Sequence, residues 1–210
     1  MLIRNLKISR LLSFGPEGID LPMRPLNVLI GPNGCGKSNF IEVLNLLRYA
    51  PVRFDSPIMM GGGVKEWLWK GPGSDTERFA EIEAVLDDSR AENTHGFVHT
   101  IALGASGGQV LIDREVITHA LIADHQVDAV EYYGFRKGQV RLLDNQLPNS
   151  PELLREIEAS KLDLRISILS QMRDPERYGV FNFLQKGYGG IQIYREWTFG
   201  PASTMRSSQL

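Results

Sequence analysis

The chain holds a single cysteine, Cys35, in 210 residues, which excludes an internal disulfide and any zinc site built from several cysteines. Long apolar runs are missing as well. No stretch approaches the ~20 residues that cross a bilayer as a helix, and the N-terminus carries no signal-peptide core. The expected location is therefore the cytoplasm, with no membrane partner. Neither sign of charge is in excess: 23 Lys and Arg against 25 Asp and Glu leave a net −2. That balance gives no bulk attraction to nucleic acid, although it leaves room for a local basic face. There is no internal repeat and no low-complexity segment. The composition, 42% hydrophobic and 23% charged, is that of an ordinary globular protein long enough to bury a sizeable core.

One stretch organises the rest. The apolar run Leu26-Asn27-Val28-Leu29-Ile30 reads as a strand and leads straight into Gly31-Pro32-Asn33-Gly34-Cys35-Gly36-Lys37-Ser38, with a helical pattern behind it. This is G-x-x-x-x-G-K-[ST], the Walker A phosphate-binding loop, in strand–loop–helix order. A triphosphate needs several donors converging on one point with no side chains in the way. Gly31, Gly34 and Gly36 can adopt the backbone conformations that turn successive N–H groups toward that point. The helix starting near Lys37 adds free N–H groups and the positive end of its dipole. Lys37 is placed to reach the β- and γ-phosphates and the Ser38 hydroxyl to ligate Mg²⁺. The expected binding set is Gly31, Pro32, Asn33, Gly34, Cys35, Gly36, Lys37, Ser38 and Asn39, with ATP and Mg²⁺ as cofactors. Cys35 reads as a small side chain turned away from the nucleotide. A glycine-rich turn that fits the pattern by chance is the bland alternative, and the strand before and helix after argue against it.

Around this loop the chain alternates between sheet and helix patterns. Leu2 to Ile8 reads as a strand, Leu11 to Phe14 leads into the turn Gly15-Pro16-Glu17-Gly18, and Ile19 to Leu21 return toward the loop. An antiparallel pair this early fits an ATP-binding-cassette type of domain better than a small GTPase or an adenylate kinase. Phe40 to Leu47 form a wide apolar face on a mostly buried helix, and Pro51 ends it. Gly61 to Gly71, with a glycine triplet, Trp67, Trp69, Lys65 and Lys70, is either a platform for a base or nucleic acid or a loop packed down by its tryptophans. The second reading is favoured. Period-2 strands are expected at 80–86, 97–103, 109–118, 129–135 and 139–143. Glu81, Asp113 and Glu115 are expected on a solvated sheet face. His95, His99, His119 and His125 match no metal motif and are expected at the surface or at strand ends. Residues 151–160, capped by Ser150, read as a helix, 175–185 as another, and Ile191 to Phe199 as a strand.

The run from Leu26 to Asn39, together with the early strand pair, resembles the SMC-like and RecF-like ATPases, relatives of the ATP-binding-cassette proteins. Gly61 to Gly71 and Ile166-Ser167-Ile168-Leu169-Ser170-Gln171 are also similar to that group, less specifically. The resemblance implies an α/β fold: a P-loop NTPase of ATP-binding-cassette type, partial, with an antiparallel β subdomain. Residues 1–200 would then be the N-terminal part of such a domain, with a phosphate-loop core at 1–50, the β subdomain at 78–144, a mixed segment at 150–200 and a frayed tail at 201–210. It implies that Gln171 contacts Mg²⁺ and the attacking water, against the alternative of an ordinary exposed glutamine. It also places an aromatic or arginine near the adenine, for which Arg10 and Phe14 are candidates that serve equally well as structural residues. A homodimer or a complementary ATPase half is the implied partner, and DNA is implied by analogy alone.

Two motifs that hydrolysis in this family requires are not found: an apolar strand ending in Asp-Glu, and an L-S-G-G-Q signature. Ser106-Gly107-Gly108-Gln109 and Ala120-Leu121-Ile122-Ala123-Asp124 spell fragments of them. The first lies between two alternating strands, as a hairpin turn does, rather than opening a helix. Gln109 and Asp124 are 15 residues apart, too close for a signature helix and a return strand, and His125 stands where the catalytic Glu would be. The chain ends before a C-terminal half that could hold these motifs, so it reads as part of a longer ATPase or as a shortened gene product. The expected function is an ATP-binding lobe whose hydrolysis needs that half. Two other readings stay open: a self-sufficient P-loop phosphotransferase using Asp113 or Asp124 to hold Mg²⁺, and a non-catalytic interaction module.

Overall fold

The computed structural model describes residues 3–72, 79–87, 95–121, 130–136, 138–143, 154–175 and 177–195. The tail at 201–210, residues 196–199, Asp124 and His125 lie outside them. Eight strands, β1 (Ile3–Ser9), β2 (Ile19–Pro22), β3 (Ala80–Asp87), β4 (His95–Ser106), β5 (Gln109–Leu121), β6 (Val130–Arg136), β7 (Gln139–Leu143) and β8 (Leu154–Glu158), make one sheet in the order β2-β1-β3-β4-β5-β6-β7-β8. Every neighbouring pair is antiparallel. The helices are α1 (Lys37–Tyr49), α2 (Ser56–Met60), α3 (Val64–Trp67), α4 (Ile168–Gln171) and α5 (Gly179–Gly189). The β1–β2 hairpin that precedes the loop and the β3–β7 strands thus share one sheet through the β1–β3 pairing.

The sheet follows its sequence pattern closely. On β3, Ala80, Ile82, Ala84 and Leu86 are fully buried, while Glu81 and Glu83 face outward into ion pairs with Arg114 and with Lys7, the latter at 3.1 Å. Between β4 and β5, Ser106 pairs with Gln109 across a two-residue turn in which Gly107 and Gly108 have φ of 57° and 80°. Two consecutive positive φ angles define a type I′ hairpin and call for glycine. Ser106 to Gln109 is therefore the hairpin turn its flanking strands suggested.

Against this sheet pack the apolar faces of α1 (Phe40, Val43, Leu46, Leu47) and α5 (Val180, Phe181, Leu184, Tyr188), in one continuous core. The tryptophan loop is packed down, as expected. Trp67 is buried, its carbonyl accepts from the Leu12 N–H at 2.6 Å, and the Trp69 N–H donates to the Arg10 carbonyl at 2.9 Å. A Cβ on Gly61 would come within 2.5 Å of the Trp67 indole nitrogen, so the glycine makes room for the ring.

Four expectations need correction. Residues 154–158 are strand β8, pairing with β7, rather than part of a helix across 151–160; residues 151–153 lie outside the described residues. The open edge of β7 outweighed the capping signal at Ser150. Residues 191–195 form no strand. The second helix begins later than expected, at Gly179, and runs to Gly189. Finally, Glu115 and His99 are not at the surface: they are 1% and 0% exposed.

The last correction has a local cause. Along the β4–β5 pairing, Ala102 faces Arg114 but Leu103 faces Ile112, so Asp113 is an extra, bulged residue. An unbroken alternation from Val110 and Ile112 would have put Glu115 on the solvent face. The bulge shifts the phase by one and sends Glu115 and Ile117 inward. The β3–β4 core gives a direct stability test. Ile82→Ala should cost about 2–5 kcal/mol in urea denaturation, as buried large-to-small changes do. A cost below about 1 kcal/mol would contradict this packing.

Candidate functional site

The phosphate-loop sequence forms a tight turn at the start of α1. Gly34 and Gly36 have φ of 82° and 96°, in the left-handed region where a side chain is strained. At Gly36 an added Cβ would lie 2.9 Å from the Ser13 hydroxyl oxygen and 3.5 Å from the Phe14 ring. Phe14, buried in the turn after β1, thus supports the loop from beneath. At Gly31 the same Cβ would lie 2.6 Å from the Cys35 sulfur, so Cys35 turns back onto the loop rather than outward from it.

Gly36 caps α1 without any side-chain hydrogen bond, and the first helical bond is Phe40 N–H to the Gly36 carbonyl at 2.9 Å. The N–H groups of the first turn therefore face outward with no intrahelical acceptor, a concentration of donors and of positive helix dipole. Over them folds the Lys37 ammonium, which donates to the Gly31 and Pro32 carbonyls at 2.7 and 2.8 Å, with the Cys35 sulfur at 3.5 Å. Its positive charge lies on the loop, where an anion would meet it and the helix N–H groups together. Ser38 is exposed on the first turn. Among the described residues no group of three His, Cys, Asp or Glu could hold a metal. A Mg²⁺ ion here would rely on the Ser38 hydroxyl, phosphate oxygens and water, which suits its preference for few protein ligands.

The stretch that leads into the loop is apolar, yet it belongs to no strand. Leu26, Val28 and Ile30 are 80%, 73% and 90% exposed, and Leu29 43%. No hydrogen bond from the described residues reaches the backbone of Val28, Leu29 or Ile30. Both edges of β1 are already used, by β2 and β3. An open groove of about 280 Å³ separates residues 28–30 from Ile19 and Leu21 of β2 and reaches Lys37.

Gln171 ends the short helix α4. Its carboxamide oxygen accepts from the Asp163 N–H at 2.9 Å, and its nitrogen donates to the Asp163 and Ile166 carbonyls, both at 3.1 Å. In this conformation the side chain holds the 163–166 turn and its hydrogen-bonding groups are occupied. The turn is braced again by Arg165, whose guanidinium donates to Asp163 and keeps that carboxyl below its ordinary range. Asp113, at the bulge of β5, is half-buried, while Arg10, with a φ of 54°, closes the end of β1 through its backbone.

Residues 26–100 match the family described as "AAA domain, putative AbiEii toxin, Type IV TA system". The chain is similar to the chromosome partition protein Smc of Cereibacter sphaeroides, at 29% identity over 143 residues, covering 62% of this chain and 12% of that protein. These two matches support an SMC-like ATPase region of the ATP-binding-cassette type. A 46-residue stretch of the chain is 46% identical to the phosphate import ATP-binding protein PstB 2 of Gloeobacter violaceus, covering 21% of this chain and 17% of that protein. A solved structure from work on ATP-driven dimerization and DNA-stimulated activation of SMC ATPases aligns at 16% identity and a TM-score of 0.41, over 60% of this chain and 73% of that one. The chain thus spans 12% and 17% of the curated relatives' lengths. No helix among the described residues of the SMC-like region is long and apolar enough to cross a membrane.

The conformation of this loop is testable without a ligand. Gly36→Ala should lower stability by about 1–2 kcal/mol, because the left-handed backbone opposes any Cβ and Ser13 stands in its way. An unchanged thermal midpoint would show that Gly36 does not hold this conformation.

Proposed function

We propose that this chain is the nucleotide-binding lobe of an SMC/RecF-like ATPase. It binds Mg²⁺-ATP through Gly31 to Asn39, and it hydrolyses ATP only when a complementary half, on the same polypeptide or another, completes the site. The observation that carries the reading is the pairing of a formed phosphate loop with the uncovered stretch Leu26–Ile30 directly before it. The exposed N–H groups of α1 and the Lys37 ammonium support phosphate binding, and the exposed Ser38 hydroxyl supports a place for Mg²⁺ beside it. Mg²⁺ there would neutralise the phosphate oxygens.

The uncovered stretch supports the need for another half. Full burial of an aliphatic side chain is worth about 1.5–3 kcal/mol, and Leu26, Val28 and Ile30 forgo most of that. An apolar run exposed on both faces, with both edges unpaired, has the composition of an interior strand of a parallel sheet. A half that adds strands beside it would cover these residues and bring acidic groups toward the loop.

A cytoplasmic setting, dimerization of the completed ATPase and work on DNA, in chromosome maintenance or defence, follow by analogy with the relatives named above.

Calorimetric titration of Mg²⁺-ATP into the chain should show saturable binding, weakened at least about tenfold in Lys37→Ala, since a hydrogen bond to a charged group is worth about 1.5–3 kcal/mol. Wild-type affinity in that variant would remove Lys37 from the site. Turnover by the isolated chain should be absent. Sustained hydrolysis abolished by Asp124→Asn would instead establish a self-sufficient phosphotransferase.

A further inference from the structure

The phosphate loop rests on one turn, and that turn is strained. After β1 the chain reverses through residues 10–14, where Arg10 and Leu12 have φ of 54° and 53°. Neither is glycine, and a left-handed backbone is unfavourable for any residue that carries a Cβ. Two such residues in three positions persist only where their surroundings impose the conformation. The turn's own bonds are few: the Arg10 N–H donates to the Gly15 carbonyl at 3.0 Å, and the Phe14 N–H to the Leu11 carbonyl at 2.9 Å. What the turn presents are Ser13 and Phe14, the two side chains that meet Gly36 at the start of α1.

The restraint comes from the end of α3 and the residues just after it. The Leu12 N–H donates to the Trp67 carbonyl at 2.6 Å, the Trp69 N–H donates to the Arg10 carbonyl at 2.9 Å, and Leu11 forms a bridge with Leu68 between them. Both left-handed residues are thus tied through their backbone to the same short segment, 67–69. Its two tryptophans differ in kind. Trp67 is 3% exposed and belongs to the apolar core, whereas Trp69 is half-buried and stands outside it. The Trp69 ring lies against Gly15, where an added Cβ would be 3.5 Å from the indole Nε1, Cε2 and Cζ2. Gly71 folds tightly onto the same edge of the ring, where an added Cβ would come within 1.9 Å. Gly15 in turn closes the strained turn, its carbonyl accepting from the Gly18 N–H at 3.1 Å as well as from Arg10. The indole therefore seals the base of the turn that carries Ser13 and Phe14.

We infer that Trp69 is a positioning residue for the phosphate loop: it clamps Arg10 and Leu12 in their left-handed conformations, which holds Ser13 and Phe14 against Gly36 and so fixes the loop at the start of α1. Without the clamp, the turn relaxes to the ordinary negative φ at residues 10 and 12, and the support beneath Gly36 moves away. A loop that is competent for only part of the time binds its ligand more weakly by that fraction. The inference rests on the nucleotide reading above. Trp69 acts through the turn and not as a stacking partner for the base.

The test uses the full chain, Mg²⁺-ATP and Mg²⁺ with inorganic triphosphate as two probes, and the variants Trp69→Ala, Trp69→Phe and Trp69→Ala combined with Leu12→Gly. Trp69→Phe is the milder change and serves if Trp69→Ala does not fold. Without ligand, hydrogen exchange of the Leu12 and Phe14 amides should speed up by about tenfold or more in Trp69→Ala, with the amides of 80–86 unchanged. Unchanged exchange at 12 and 14 overturns the clamp, and faster exchange at 80–86 as well would make Trp69 a general stabiliser and overturns it too. With ligand, both probes should bind about fivefold or more weakly to Trp69→Ala, and by the same factor, because the loop holds phosphate and not the base. Glycine adopts the left-handed backbone freely, so adding Leu12→Gly should bring both affinities back to within about twofold of wild type. Loss for ATP alone would make Trp69 a base contact, loss without recovery would make it a packing residue, and no loss would give it no part in binding; each overturns the inference while sparing the phosphate loop. Wild-type chain that binds Mg²⁺-ATP but not triphosphate places the affinity at the base and also overturns it. Binding of neither probe by the wild-type chain would overturn the nucleotide reading first and this inference with it.

Discussion

An extended chain must satisfy its backbone hydrogen bonds, and a strand does so only by finding neighbours. Eight segments of this protein meet that requirement in a single antiparallel sheet. Leu26 to Ile30 does not, and its position is what gives the observation weight, since the phosphate loop begins at the next residue. The loop itself needs little from the rest of the fold. Gly36 rests on Ser13 and Phe14, and Lys37 closes over the loop carbonyls. The N-terminal end of α1 is thus in place, while the apolar stretch that leads into it is uncovered.

A second constraint shapes the other end of the molecule. One extra residue in β5, Asp113, reverses which side chains face the core, and Glu115 is the consequence. A carboxylate in that position would be costly without donors, and the fold supplies them from β4 and from the start of α4. The sheet, α4 and α5 are joined by polar contacts as well as by apolar packing. A bulge is a cheap way to obtain such a connection, because it changes the facing of a strand without changing its neighbours.

The sequence disclosed these features unequally. Strands β3 to β7 were legible because their alternation is strong and glycines mark the turns; Gly107-Gly108 could be distinguished from a signature motif on pattern alone. The phosphate loop was legible because its residue types are dictated by the chemistry of phosphate. What escaped was set by tertiary context. Strand β8 forms because β7 offers an edge, and nothing within residues 154–158 announces it. Glu115 was misplaced because a bulge leaves no mark in the hydrophobic pattern. His99 did leave one: it falls in phase with Phe97, Ile101 and Leu103, all fully buried, and that phase was the available signal for an interior histidine. Leu26 to Ile30 reads as a strand from composition, and its lack of partners could only emerge from the fold.

The account turns on whether the formed loop is a nucleotide site. Hydrogen exchange across the whole chain, with and without saturating Mg²⁺-ATP, measures this most directly. Protection should be concentrated at the amides of residues 33–39, with β3 to β7 unchanged and the amides of 28–30 still exchanging freely in the absence of a partner half. An absence of protection at 33–39, or protection centred elsewhere in the chain, would contradict it.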